Sequence, residues 1–507
     1  MFKKWKTIAG SMAVTVTAAT MLSACGSSTD SQSGSTPGSK AKDDSKPYEI
    51  SMAFINFQNM PDVGAVQEEI SKITKQKINA TVKLIPISIS AWTQQTNLML
   101  AGNEKLDLLV SSAFFNYGSQ VAKGQLIPLD DLLEKKGQGI KGVFEPEILN
   151  ATKIDGKIYG VPSTRDMAAD FGMVMRKDLV EKYHIDLSKV KSFSDLEPAF
   201  QAIKDGEPGV APVVQQTQGQ SGQTVAQVIT GASFDPLGDS LGGLTDTGGN
   251  LKVVNIFETQ EYADAIALAR KWYQAGYIMK DIATSQETGP SLVKAGKAFG
   301  YVANLKPGFE IQESRNSGTE LVGVRLTKPV TFTSSITSFM MSITKNSDNP
   351  EKAMEFLNLM YTDKDIANLI DNGIEGKHYV KKSDTIIAKP DGVKESGYML
   401  NEWEVGNNYL SYIWEGEDPQ NWEKMKQFNK SSIRSKALGF TFNVDPVKTE
   451  VAAATNVLNQ YRVGLETGTL DPAGLQEFNA KLKSAGLDKI IAEKQKQLDA
   501  WAKTAAK

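Results

Sequence analysis

The residues best equipped for chemistry fall in one stretch: Asn401-Glu402-Trp403-Glu404, then Tyr409, Tyr412, Trp414-Glu415-Gly416-Glu417-Asp418 and Trp422. Flat aromatic rings beside carboxylates suit a sugar, whose C–H faces stack on a ring while its hydroxyls bond to carboxylates, amides and guanidinium groups. The same residues would suit a glycosidase, one carboxyl of Glu402/Glu404 or of Glu415/Glu417 acting as acid and the other as base or nucleophile. Trp414 and Trp422 also read as packing residues on helices. Trp403 reads as either a platform or a core anchor, because tryptophans are commonly buried.

Other motifs carry less. Gly137-Gln138-Gly139-Ile140-Lys141-Gly142 matches G-x-G-x-x-G. It follows the polar, helical Leu132–Lys136 rather than a strand, and Glu145-Pro146 interrupts the helix that a dinucleotide site would need, so a glycine-rich loop is expected. The loop Asp235–Asn250 has carboxylates and glycines without calcium-loop spacing. His184 and His378 have no ligand spacing, so both read as structural or exposed, and no metal or cofactor is expected. Neither G-x-x-x-x-G-K-[ST] nor H-E-x-x-H occurs, which favours a binder over an enzyme.

The N-terminus decides where these residues work. Lys3, Lys4 and Lys6 precede an apolar run, Ile8–Met21, that is diluted by Gly10, Ser11 and threonines and falls short of the ~20 residues of a spanning helix. Residues 1–24 therefore read as a signal peptide. Leu22-Ser23-Ala24-Cys25 resembles a bacterial lipobox, and Cys25 is the only cysteine in the chain, so it is the expected lipidation site. Residues 25–46 are rich in Gly, Ser, Thr, Asp and Lys and cannot bury enough surface to offset their ordering entropy, so they read as a flexible tether.

Of 507 residues, 40% are hydrophobic and 23% charged, as in a soluble globular body large enough for two or three lobes. Lys and Arg number 56 against 59 acidic residues, so nothing argues for nucleic acid, and membrane contact is expected through the lipid alone. With no second cysteine, stability must rest on core burial.

The elements that must position the chemistry begin with Tyr48–Phe57, which alternates like a strand. A helix follows from Pro61 to Lys77 with Val66, Ile70 and Ile73 at helical spacing, then a strand over 80–87, a helix over 91–101 and a strand over 106–110. This order implies a largely parallel sheet, with ligands beyond its carboxyl ends, near Ser111–Asn116. Helices are further expected over 193–204 and 259–275, strands over 298–304, 321–326 and 338–344, and long amphipathic helices over 447–465 and 475–502.

Gly124-Gln125-Leu126-Ile127-Pro128-Leu129, Asp155-Gly156-Lys157-Ile158-Tyr159-Gly160-Val161-Pro162, Arg176-Lys177-Asp178-Leu179 and Asn349-Pro350-Glu351-Lys352-Ala353 occur in that order. Together they resemble the family 1 extracellular solute-binding proteins of ABC importers. Gly373–Tyr379, Trp403–Asn407 and Leu438–Phe442 are similar to a long Gram-positive subgroup with an extra C-terminal region. The resemblance implies an α/β, two-lobe hinged fold of the periplasmic-binding-protein type II class with a C-terminal helical extension. Lobe one is expected over 47–165 plus 333–395, and lobe two over 166–332 plus 396–507. It also implies a monomer on the outer face of the membrane that hands an oligosaccharide, or else a peptide or other solute, to permease subunits. Carried over residue by residue, the ligand positions are Phe114, Asn116, Arg165, Asp166, Tyr301, Asn304, Glu402 and Trp403. One of Phe114 and Phe115 must face the core, because neighbours on an extended segment alternate, and Tyr301 is equally suited to cleft or core.

Overall fold

The computed structural model describes residues 46–57, 59–102, 104–217, 223–393 and 396–505. The expected leader, Cys25 and all of the tether but Lys46 lie outside the described residues. In chain order the strands that build and join the lobes are β1 (Tyr48–Asn56), β2 (Ala80–Ser88), β3 (Leu108–Ser111), β4 (Val161–Pro162), β5 (Asp170–Arg176), β6 (Gly300–Leu305), β7 (Leu321–Arg325), β8 (Val330–Thr331), β9 (Met340–Ile343) and β10 (Ile433–Arg434).

The first sheet has the order β2-β1-β3-β9-β4. β1 runs parallel to β2, from Tyr48 opposite Ala80 to Asn56 opposite Ser88, and parallel to β3. Ile50 to Ile55 are all buried, so β1 is covered on both faces instead of alternating in and out. Helices α1 (Val63–Ile78) and α2 (Trp92–Ala101) make the crossovers. α1 buries Val66, Ile70 and Thr74 at four-residue spacing and stops at Asn79, which takes the left-handed conformation (φ 48°). The expected parallel sheet holds for three strands. β9 is antiparallel to β3 and β4, because the chain re-enters from the second lobe at the carboxyl end of the sheet and must run back down it.

The second sheet, β6-β5-β7, is antiparallel throughout. Its core gathers Met173, Val174, Phe200, Trp272, Phe299 and Tyr301. Helix α3 (Gln260–Gln274), capped by the Thr259 hydroxyl, carries Tyr262 and Ile266 into a further core shared with the C-terminal helices α5 (Lys448–Glu466), α6 (Gly474–Ser484) and α7 (Leu487–Ala505), after α4 (Phe309–Ser317) at the cleft. The expected single helix over 475–502 is two helices. Gly486 has φ 101°, and a Cβ there would meet Glu450, so the chain turns where only glycine fits.

The loop Asp235–Asn250 belongs to this packing. Asp235 accepts from Leu237 N–H and the Ser435 hydroxyl, and Asp239 holds the fully buried ammonium of Lys494 on α7, which also donates to the carbonyls of Leu241 and Gly242. Both carboxylates are thus engaged by the protein itself, although Asp239 Oδ2 is buried without a partner among the described residues. His378 is buried, with Nε2 3.1 Å from Asp62 and Nδ1 accepting from Ile374 N–H, whereas His184 is exposed at a helix end.

Between the lobes the chain crosses at 163–169 and again at 327–339. Ala169 pairs with Val330, β8 pairs with β10, and Thr164 pairs with Asn407. From sequence, 396–507 is expected with lobe two. Tyr398, Leu400 and Val405 instead pack in the first core, because the chain returns there before reaching the C-terminal helices.

Candidate functional site

A narrow cavity of about 80 Å³ lies between the lobes. The crossover contributes Arg165 and Asp166. The segment after β6 and helix α4 contribute Lys306, Gln312 and Arg315, and the returning chain contributes Glu402, Trp403, Asn408, Glu417, Asp418, Asn421 and Trp422.

Trp403, on the cavity wall, belongs to an aromatic strip that continues beyond it. Phe57, just beyond β1, meets Trp403 at 5.6 Å between ring centres, Trp403 meets Phe339 at 4.7 Å, and Phe339 meets Phe114 at 6.3 Å. The Arg165 guanidinium stands 5.9 Å from the Phe339 ring. Phe57 and Phe114 are 48% and 45% exposed, which costs apolar surface unless something covers it.

The strip is held from behind. Ser163 donates to the Trp403 carbonyl at 2.7 Å, and Asn408 donates to the Glu402 carbonyl. Glu404, fully buried, accepts from Ile55 N–H at 2.5 Å, tying the turn that carries Trp403 to the strand that carries Phe57. Burial pushes the Glu404 carboxyl up to about 8.

The charges of the cavity are mostly committed. Arg165 pairs with Asp166 at 3.0 Å, Lys306 approaches the same carboxylate at 3.6 Å, and Arg315 pairs with Glu417. Burial works against ionisation of Asp166, yet Lys306 and Arg165 outweigh it and hold that carboxyl below its ordinary value. Glu402 faces the cavity, where burial and then Glu417 push it up to about 7 against the pull of Lys306 and Arg315.

Of the eight positions expected from sequence, Arg165, Asp166, Glu402 and Trp403 meet on this cavity. Phe114 extends the aromatic strip beyond it, while Phe115 turns inward toward Trp92. Asn116 is exposed in a left-handed conformation (φ 64°) and does not line the cavity. Tyr301 is a core residue: only 4% exposed, it donates its hydroxyl to Glu313 at 2.5 Å, and burial raises its phenol. Asn304 is exposed at the end of β6 and paired with Gln223; two residues on, Lys306 reaches the cavity instead. Lys306 and Arg315, which line the cavity, and Phe57 and Phe339, which pack on Trp403 beside it, were not legible from sequence, since each sits near the end of an element with no motif around it. Trp422 lines the cavity with its N–H given to Ser411 O, whereas Trp414 packs beside Tyr379, Ile387 and Tyr412.

Two catalytic arrangements meet poor geometry. The Glu402/Glu404 pair is split, one carboxyl in the cavity and the other buried on Ile55 N–H, so the two do not flank a common bond. Gly238-Asp239-Ser240-Leu241-Gly242 fits the nucleophile-elbow pattern, and Ser240 has φ 64°. It lies in a loop with no strand before it or helix after it, and Asp239 is taken by Lys494, so the context that pattern requires is missing.

Residues 58–367 match the bacterial extracellular solute-binding protein model, and residues 436–503 match a domain of unknown function, DUF3502. A carbohydrate ABC transporter substrate-binding protein of Streptococcus pneumoniae is 30% identical over 99% of both chains. The lipoprotein LipO of Bacillus subtilis is 27% identical over 82% of this chain and 78% of its own. Among solved structures, the N-glycan transport solute-binding protein of Streptococcus pneumoniae superposes with a TM-score of 0.79 at 28% identity, covering 90% of this chain and 99% of that one. Its complex with Man5GlcNAc superposes at 0.68. The chain therefore belongs to the bacterial extracellular solute-binding proteins, with their two-lobe α/β fold and a C-terminal helical extension.

Proposed function

We propose that the protein is the extracytoplasmic binding component of an ABC importer, anchored by a lipid on Cys25, that takes an oligosaccharide between its lobes and hands it unaltered to permease subunits. The observation that carries the substrate class is the aromatic strip Phe57–Trp403–Phe339–Phe114 beside polar groups on the same cleft. Rings of this kind offer flat apolar faces to sugar C–H surfaces, and the adjoining carboxylates and guanidinium groups address hydroxyls. The substrate classes of the relatives point the same way. Among the described residues no helix is long and apolar enough to cross a membrane.

The paired crossover strands fit a hinge, with lobe one below it, lobe two above it and the C-terminal helices riding on lobe two. A ligand touching both walls would favour a closed population in proportion to its preference for that state. Closure would create the surface the permease recognises.

A thermal-shift screen of residues 46–507 against neutral oligosaccharides, with peptides as controls, tests this reading. Mass action stabilises the folded state by about 2.7 kcal/mol at a hundredfold excess over Kd. A saccharide should raise Tm and be recovered intact. A peptide raising Tm while no saccharide does would overturn the substrate class, and cleaved saccharide would overturn the carrier role.

A further inference from the structure

The cleft has a charge balance that depends on one residue. Arg165 and Lys306 share Asp166, Arg315 holds Glu417, and Asp418, also on the cavity wall, is held by Lys424. Those pairings leave one positive charge over, on the Arg165–Lys306 side. Among the described residues, no hydrogen bond or ion pair is made to the Glu402 carboxyl, which lines the same cavity as Lys306, Arg315, Asp166 and Glu417. Asp371, which does not line the cavity, is buried, accepts from the Ser411 hydroxyl, and is itself raised by burial and then by Glu402.

We propose that Glu402 sets the charge selectivity of the cleft, so that its ligand is an uncharged glycan and uronic-acid glycans are rejected. The inference rests on the saccharide reading above and names the class within it. An ionised Glu402 brings the cleft to neutrality and, having no protein donor, is free to accept from sugar hydroxyls. A uronate carboxylate placed beside it would face a like charge in a site partly withdrawn from water, where that repulsion is weakly screened. Without the Glu402 charge, Arg165 and Lys306 offer a surplus cation, which is what a uronate needs.

Calorimetric titration at pH 8 compares wild type with Glu402→Gln, using a neutral mannose–N-acetylglucosamine oligosaccharide and an oligogalacturonate of similar length. The amide is isosteric and the carboxyl it replaces bonds to no protein group, so the fold is not at stake. Wild type should favour the neutral glycan, and the variant should shift the ratio of the two Kd values by about tenfold or more toward the uronate. Lowering the pH of the wild type to about 5.5, where a carboxyl pushed up to about 7 carries its proton, should move the ratio in the same direction. An unchanged ratio in both comparisons, with the neutral glycan still bound, overturns the proposal and leaves the saccharide reading standing. A wild-type cleft that binds neither glycan overturns both.

Discussion

Trp403→Ala should weaken binding of the oligosaccharide by about a hundredfold, roughly 2.7 kcal/mol. Trp403 is the middle member of the aromatic strip, in contact with Phe57 on one side and Phe339 on the other. Alanine removes the indole that joins the strip to the cavity and leaves its two neighbours without a shared partner, so the strip loses continuity as well as area. Phenylalanine at the same position keeps a ring face and should recover most of the loss. Calorimetry on the three proteins measures this, with thermal unfolding run alongside, because truncation of a half-buried tryptophan also costs stability. Equal affinity in wild type and Trp403→Ala would remove this residue from the site.

The second large effect is on stability and runs through pH. Glu404 is fully buried, one oxygen accepts from Ile55 N–H, and the other is buried with no partner among the described residues. Burial places its carboxyl at about 8 in the folded protein, above the ordinary 4.5. A raised folded value means that its contribution to stability is complete below about pH 4.5 and is lost as pH climbs through about 8. The size of the loss is on the order of 4 kcal/mol. Glu404→Gln keeps the acceptor for Ile55 N–H and cannot ionise. The variant should match wild type near pH 5 and exceed it by several kcal/mol near pH 9. Glu402 and Asp371, also raised, contribute slopes of their own, so the quantity to read is the difference between the two proteins in urea unfolding at each pH. A difference that stays flat from pH 5 to 9 would mean that the carboxyl is solvated. The same bond links stability to function, since it holds the turn carrying Trp403 against the end of the strand that leads to Phe57.

What could be read from sequence follows from how local each signal is. The β1–α1–β2–α2–β3 run was legible because its apolar spacing and its turn residues are set within a few positions. The direction of β9 was not, because it depends on a return from the second lobe more than 170 residues later, which no local pattern records. Arg165, Asp166, Glu402 and Trp403, which line one cavity, could be expected together because they lie beside motifs or within a dense aromatic-acidic stretch. Tyr301 was open between cleft and core, and the tertiary context decided it: Gly289 packs on its ring and Glu313 takes its hydroxyl. Lys306 and Arg315 gave no sign, since their place in the cleft follows from where β6 ends and how α4 is set down beside it. The split of the last helix pair did have a signal in Gly486, which an amphipathic pattern continuous across it concealed.

The most direct test of the account is a crystal structure of the protein with a neutral oligosaccharide bound. A sugar ring should lie on the face of Trp403 between the lobes, with a hydroxyl on the Glu402 carboxyl and another beside Arg165 and Asp166. A ligand seated on an outer face of either lobe, with Trp403 and Glu402 untouched, would contradict it.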